Sequence, residues 1–157
     1  MQIETQTMLI HTINFGDLEV PEDKIIAFKE GIPGFPQIHR FTFLEFEDLK
    51  PFQYLQSLDD PPIALLVINP FLVDRGYQFQ LSKSDMEDIH SSDPAGVVVY
   101  AVATVPANAE GATLNLMAPI VVNEAERCGK QVILHDSGYS VKHPLFDASN
   151  KAGKPGR

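Results

Sequence analysis

Leu55-Gln56-Ser57-Leu58-Asp59-Asp60-Pro61-Pro62-Ile63-Ala64-Leu65-Leu66-Val67-Ile68-Asn69-Pro70-Phe71 is the stretch on which the fold class turns. Ile63 to Ile68 is unbroken apolar, rich in β-branched residues, too short for an ordinary helix and bracketed by proline, which predicts a strand buried on both faces in the middle of a sheet. Ahead of it, Asp59-Asp60-Pro61-Pro62 predicts a rigid turn: aspartate side chains bond nearby backbone N–H groups, and proline fixes φ and cannot donate to a ladder. Behind it, Asn69-Pro70 closes the strand.

Upstream, Met1-Gln2-Ile3-Glu4-Thr5 and Met8-Leu9-Ile10-His11-Thr12 share a Met-x-Ile-x-Thr pattern, so residues 1–7 read as a possible N-terminal extension. Leu9 to Val20 predicts a hairpin turning near Gly16, and Lys24 to Phe28 a short strand. Glu30-Gly31-Ile32-Pro33-Gly34-Phe35-Pro36 is a structural turn: its prolines lack the N–H donors of a phosphate loop, and no Gly-Lys-Ser/Thr follows. Arg40 to Phe46 is a strand with apolar residues on both faces, and Pro51 to Leu55 reads as a short helical turn.

Downstream, Phe71-Leu72-Val73 is an apolar loop that either plugs the end of a barrel or faces a partner. Ser84 and Glu87 predict a capping box for a short helix ending near Ser91. Ala95 to Val105 is a long apolar strand. Thr113 to Asn123 alternates, with Leu114, Leu116, Ala118, Ile120 and Val122 on one face and Thr113, Asn115, Met117, Pro119, Val121 and Asn123 on the other. Pro119 cannot donate, which predicts a bulge or an edge strand open to a partner. Glu124 to Lys130 reads as a turn containing Gly129, and Gln131 to His135 as the last core strand. Roughly ten short strands, one short helix and closely spaced turns predict a compact antiparallel barrel or sandwich in a single domain over residues 1–146, with residues 147–157 a flexible tail.

The single cysteine, Cys128, rules out an internal disulfide and suits a reducing, cytoplasmic setting. No apolar run approaches the roughly 18 residues of a membrane span, and no signal-peptide pattern opens the chain. Net charge is -9, and the last 15 residues carry Lys151, Lys154 and Arg157 against Asp147 alone, so the body is more acidic than the whole. Such a field repels phosphate backbones and favours basic partners. Asp59-Asp60 suits turn capping better than acid/base catalysis, since adjacent side chains point apart. The histidines His11, His39, His90, His135 and His143 show no metal-ligand spacing. Arg127 and Lys130 beside Cys128 would favour a thiolate there. Basic residues do not cluster with aromatics. The residues therefore point to an acidic β protein that works by binding, with no catalytic residues, metal or cofactor.

Seven pieces in one order resemble the FliW family of bacterial flagellar assembly factors from Met8 to Phe146. They are Phe15-Gly16-Asp17-Leu18-Glu19-Val20, Glu30-Gly31-Ile32-Pro33-Gly34-Phe35, Leu55 to Pro61, Asn69-Pro70-Phe71-Leu72, Thr113 to Asn123, Gly129 to Leu134 and His143-Pro144-Leu145-Phe146. The resemblance implies a small β-barrel without enzymatic activity, a monomer when free, in the cytoplasm. It implies two protein partners, flagellin and the RNA-binding translational regulator CsrA, whose repression of messages including flagellin's it relieves. Neither nucleic acid nor membrane is a direct partner.

The expected contact residues are Asn115, Met117, Pro119 and Asn123 on the outer face of the Pro119 strand, with Asp59, Asp60, Asn69, Pro70 and Phe71 in the flanking turns. Two other classes stay open. An enzyme would depend selectively on Cys128 or His135, and a flagellin chaperone or assembly module would bind flagellin without antagonising CsrA.

Overall fold

A computed structural model describes residues 6–146, so the expected tail and most of the expected N-terminal extension lie outside the described residues. The strands are β1 (Thr7–Thr12), β2 (Gly16–Pro21), β3 (Ile26–Ala27), β4 (Arg40–Glu45), β5 (Gln53–Ser57), β6 (Ala64–Ile68), β7 (Val97–Thr104), β8 (Thr113–Leu114), β9 (Ile120–Asn123), β10 (Cys128–Gln131) and β11 (His143–Pro144), with one helix, α1 (Lys83–Asp88). Seven of them close a barrel in the order β7-β6-β5-β4-β3-β10-β9 and back to β7. Every pairing is antiparallel except β3 with β10, which run parallel.

Closure works through β7. Val97–Tyr100 pair with β9, Ala101 and Val102 with β6, and Ala103 and Thr104 with β8. Its side chains alternate between two cores, which is why the strand reads as continuously apolar. Val98, Tyr100 and Val102 face the barrel interior with Phe28, Phe41, Leu55, Val67, Ile120 and Val122. Val97, Val99, Ala101 and Ala103 face an outer core with Tyr77, Ile89, Leu114, Leu116, Val121 and Leu134. The β1–β2 hairpin lies against β4–β5: Phe15 packs on Phe46 and Tyr54, and Ile13 N–H donates to Pro61 O at 3.2 Å.

The strand at Ala64–Ile68 sits between β5 and β7 as expected, although only Val67 and Ile68 are fully buried. Pro51 to Leu55 is no helical turn. Gln53–Ser57 is paired on both sides, with β4 and β6, and the helical turn falls earlier, at Glu47–Leu49. Thr113 to Asn123 is not one strand either. Asn115 Oδ1 accepts the N–H groups of Met117 and Ala118 at 3.1 and 3.0 Å, so the side chain takes over the donors a straight strand would use and the chain turns. β9, beyond the break, pairs with both β7 and β10, so Pro119 marks no open edge.

The helix cap is Ser82, whose Oγ accepts Asp85 N–H at 2.9 Å, in place of the expected Ser84–Glu87 box. The last strand is shifted to Cys128–Gln131, and Val132 and Leu134 extend it only by donating to Pro119 O and Met117 O. Gly129 therefore lies within a strand instead of a turn. It is needed for close approach: a Cβ there would stand 2.7 Å from the ring of Phe28, which is fully buried against Phe41. Among the described residues, no helix is long and apolar enough to cross a membrane.

The turn ahead of β6 is built differently from the expected self-capped one. Ser57 Oγ accepts the N–H groups of Asp59 and Asp60, and Gln56 Nε2 donates to Ser57 O and Pro61 O. Asp59 reaches across to the start of β4, where Oδ2 accepts His39 and Arg40 N–H at 2.9 and 3.0 Å and Oδ1 accepts Arg40 Nε at 2.9 Å. Burial pushes this carboxyl upward, but the bonds from His39 and Arg40 outweigh it and hold its pKa below the ordinary value.

Two measurements check this framework. Gly129→Ala forces a methyl into the Phe28 ring, and chemical denaturation should show a loss of about 1–3 kcal/mol. Asp59→Ala leaves three donors without their carboxylate, with an expected loss of about 1.5–3 kcal/mol at neutral pH. Because the folded pKa of Asp59 is depressed, its contribution is present above the unfolded value and disappears as pH falls through the folded one. The gap between wild type and Asp59→Ala should therefore narrow in denaturation series run below about pH 4.

Candidate functional site

The outer core is covered by the chain between β6 and β7. Asn69 Oδ1 accepts Phe71 N–H at 2.8 Å, and Pro70 occupies the first position of the single 3-10 turn that follows. That turn leads the chain off the barrel, leaving Phe71 40% and Leu72 62% exposed while Val73 packs inward. The loop thus fills part of the outer core, not the end of the barrel, and leaves two apolar side chains open to solvent. Tyr77 is the hub beyond it. Its hydroxyl donates to Leu116 O at 2.7 Å, and its ring centroid lies 5.7 Å from Phe71, 5.5 Å from Phe79 and 4.7 Å from Tyr139. Burial, then Tyr139 and Asp74, hold the Tyr77 hydroxyl far above its ordinary pKa, so it is a neutral, permanent donor.

From Tyr77 to Ser82 the chain runs outside any helix or strand, and an apolar cleft of about 470 Å³ opens between it and the outer face of β7. Phe71, Phe79, Leu81, Met86, Val97 and Val99 supply its walls. α1 closes one side and is tied to β10 by charge: Lys130 Nζ bridges Asp85 at 2.8 Å and Asp88 at 2.5 Å. Burial opposes ionisation of Lys130, yet the two carboxylates prevail and raise its pKa. Burial likewise opposes that of Asp85, yet Lys130 and Ser82 lower it. Lys130 and Asp85 thus favour each other's charged form, and the lysine is committed to structure.

The expected contact residues do not form one surface. Phe71 stands at the rim of the cleft, and Asn69, exposed, caps the turn that carries it, with Pro70 buried between them. Asn115 and Met117 are half-buried and flank Leu116, which receives the Tyr77 hydroxyl, so this group adjoins the same layer. Pro119 and Asn123 are buried. The Asn123 amide donates to Ile89 O and His90 O at 3.0 and 3.1 Å, clamping the end of α1 instead of facing a partner. Asp59 and Asp60 lie at the opposite end of β6 from Asn69, and the Asp60 carboxylate makes no bond among the described residues.

Sequence reading missed Tyr77, Phe79, Leu81 and Met86. The available signal was the alternation of Tyr77, Phe79 and Leu81 with Gln78 and Gln80. The pull toward a thiolate expected from Arg127 and Lys130 does not prevail at Cys128: burial, with Glu126, pushes the thiol pKa up against Arg127, and Lys130 is engaged elsewhere, which suits a passive cysteine. Among the described residues, no group of three or more His, Cys, Asp or Glu is placed to hold a metal ion.

Comparison with known proteins agrees with this architecture. The family model described as FliW protein matches residues 8–145. The flagellar assembly factor FliW of Natranaerobius thermophilus is 40% identical over 147 residues, covering 92% of this chain and 97% of the relative. That of Bacillus subtilis (strain 168) is 38% identical over 138 residues, covering 88% and 96%. A solved crystal structure of the flagellar assembly factor FliW matches with a TM-score of 0.84 at 37% identity, covering 89% of this chain and 98% of that one. Likeness in sequence and in barrel architecture thus extends over nearly all the described residues, and the chain belongs to the FliW family.

Proposed function

We propose that this chain serves flagellar assembly in the cytoplasm by binding two proteins: CsrA, whose repression of messages including flagellin's it relieves, and flagellin itself. Flagellin synthesis would thereby be coupled to its export. The observation that carries the reading is membership of the FliW family along nearly the whole chain. The acidic composition supports it, because a protein that binds messenger RNA is basic somewhere and an acidic partner is steered toward it. The barrel and its covering layer act as one binding domain, a monomer when free, without catalysis, cofactor or metal, and with neither nucleic acid nor membrane as partner.

In this reading the contacts fall to Asp60, Asn69, Phe71, Asn115 and Met117, while Asp59, Pro70, Pro119 and Asn123 hold those residues from behind. Asp60 offers a carboxylate with no structural bond to lose, and Phe71 offers an exposed ring beside an apolar cleft.

Calorimetric titration of the protein into purified CsrA and into purified flagellin, each at two salt concentrations, tests the proposal. Saturable binding of both is expected, with the CsrA interaction weakening as salt rises. Asp60→Lys should weaken CsrA binding by about three- to fivefold without changing the thermal transition. A folded sample that binds flagellin but not CsrA at either salt would replace the antagonist reading with a flagellin-specific assembly module. Binding to neither would remove both.

A further inference from the structure

Gln56 is fully buried, and its side chain is only half satisfied. Nε2 donates to Ser57 O and Pro61 O at 3.0 and 3.1 Å, whereas Oε1 has no hydrogen-bond partner among the described residues. It is the one buried side-chain nitrogen or oxygen among them left in that state. What shuts it off from water follows from the register. Leu55 points into the barrel, so Tyr54 and Gln56 on either side of it point outward, opposite Leu44 and Thr42 of β4. The β1–β2 hairpin lies on this face. Phe15 packs on Tyr54 and Phe46, and Pro61 O, which accepts from Gln56, also accepts Ile13 N–H at 3.2 Å.

The hairpin is bonded to itself far more completely than to the barrel. Its strands pair over six residues and form a sheet of their own. Thr12 Oγ1 donates to Gly16 O at 2.7 Å and accepts Phe15 N–H at 2.9 Å, while Thr7 and His11 reach across to Glu19 and Asp17. Toward the barrel, residues 7–21 make two hydrogen bonds among the described residues: the Ile13 bond and a contact of Arg40 Nη1 with Met8 Sδ at 3.9 Å. The rest of the attachment is apolar, through Ile10, Val20 and Phe15, and Ile10 and Val20 belong to neither the barrel interior nor the outer core.

Closing the hairpin thus buries apolar surface but strands the Gln56 oxygen, which bonds water once the hairpin lifts. A unit with its own complete bonding, few bonds outward and a desolvated acceptor beneath it can detach without unfolding the rest. We propose that β1–β2 is a strap that swings off as one body while the barrel stays closed, baring Tyr54, Gln56 and the outer face of β4–β5 beside the Asp59-Asp60-Pro61 turn. The strap opens in this way whichever partner the chain binds.

The test is native-state amide exchange of the isotope-labelled full chain, followed by NMR at neutral pH and in low denaturant. Amides bonded across the hairpin should exchange together, at least about tenfold faster than those of β5 and β7. The side-chain amide protons of Gln56 should follow the hairpin's rate, because the hairpin covers them. Ile10→Ala weakens the hairpin's hold and should speed both sets by about thirtyfold while leaving the β5 and β7 amides unchanged. Phe15→Ala, at the tip, should act in the same direction if Ile10→Ala fails to fold.

Hairpin amides that exchange no faster than those of β5 and β7, or a variant in which all amides speed equally, would make the hairpin part of one cooperative unit and overturn the proposal. So would a Gln56 side-chain amide that stays protected at the barrel's rate with a long-lived water beside it, since the stranded oxygen would then be satisfied in the closed state.

Discussion

The structure depends on one strand being paired on both sides and buried on both faces. β7 closes the barrel by joining β6 to β9, and its alternate side chains enter the barrel interior and the outer core. Closure removes the exposed edges that an open sheet of this size would leave. It also creates an obligation: the outward row Val97, Val99, Ala101 and Ala103 is apolar and has to be covered. The chain from Asn69 to Gly96 and the segments around Leu116 and Leu134 are that cover. The surface that distinguishes this molecule is thus a consequence of how its barrel closes.

How much of this was legible in the sequence follows from how local each cause is. The apolar runs around Ala64–Ile68 and Val97–Thr104 announce two-sided burial directly, because no polar residue interrupts them. The alternation from Thr113 to Asn123 picked out residues that are all buried, Leu114, Leu116, Ala118, Ile120 and Val122, but they do not share one face: Leu114 and Leu116 lie in the outer core, and Ile120 and Val122 in the barrel interior. It could not reveal that Asn115 breaks the strand, because an Asx turn and a straight strand need the same residue types there. Nor could it reveal that Asn123 is buried on the other face, since the carbonyls that hold its amide belong to Ile89 and His90, more than thirty residues away at the end of α1. Gly129 and Asp59 failed for the same reason. The Phe28 ring and the His39 and Arg40 amides that explain them are distant in sequence.

Electrostatics divides the acidic residues by task. Asp59, Asp85 and Asp88 are bound to cations or backbone donors and serve as ties, the first between β5–β6 and β4, the others between α1 and β10. Their partners Arg40 and Lys130 are correspondingly withdrawn from the surface supply of positive charge. Setting these three aspartates and two cations aside leaves 18 acidic side chains against 10 basic ones, an excess close to that of the whole chain, on a scaffold closed into a barrel. A rigid scaffold with mobile surface charge suits recognition by steering, in which charge brings a basic partner near and a shaped apolar site holds it.

Which edge such a partner could use is decided by what guards it. Among the described residues the β1–β2 hairpin has no further strand beside it, but its strands carry Glu19, and His11 and Asp17 stand opposite each other and pair at 2.8 Å. Charge on an edge strand is a barrier to further pairing. Tyr77-Gln78-Phe79-Gln80-Leu81 carries none. Its apolar side chains are held by the outer core, its glutamines face outward, and β7, the strand it covers, has already used both edges in closing the barrel. The segment is therefore held in place by burial of its side chains and by the Tyr139 hydroxyl on Gln78, and not by strand pairing.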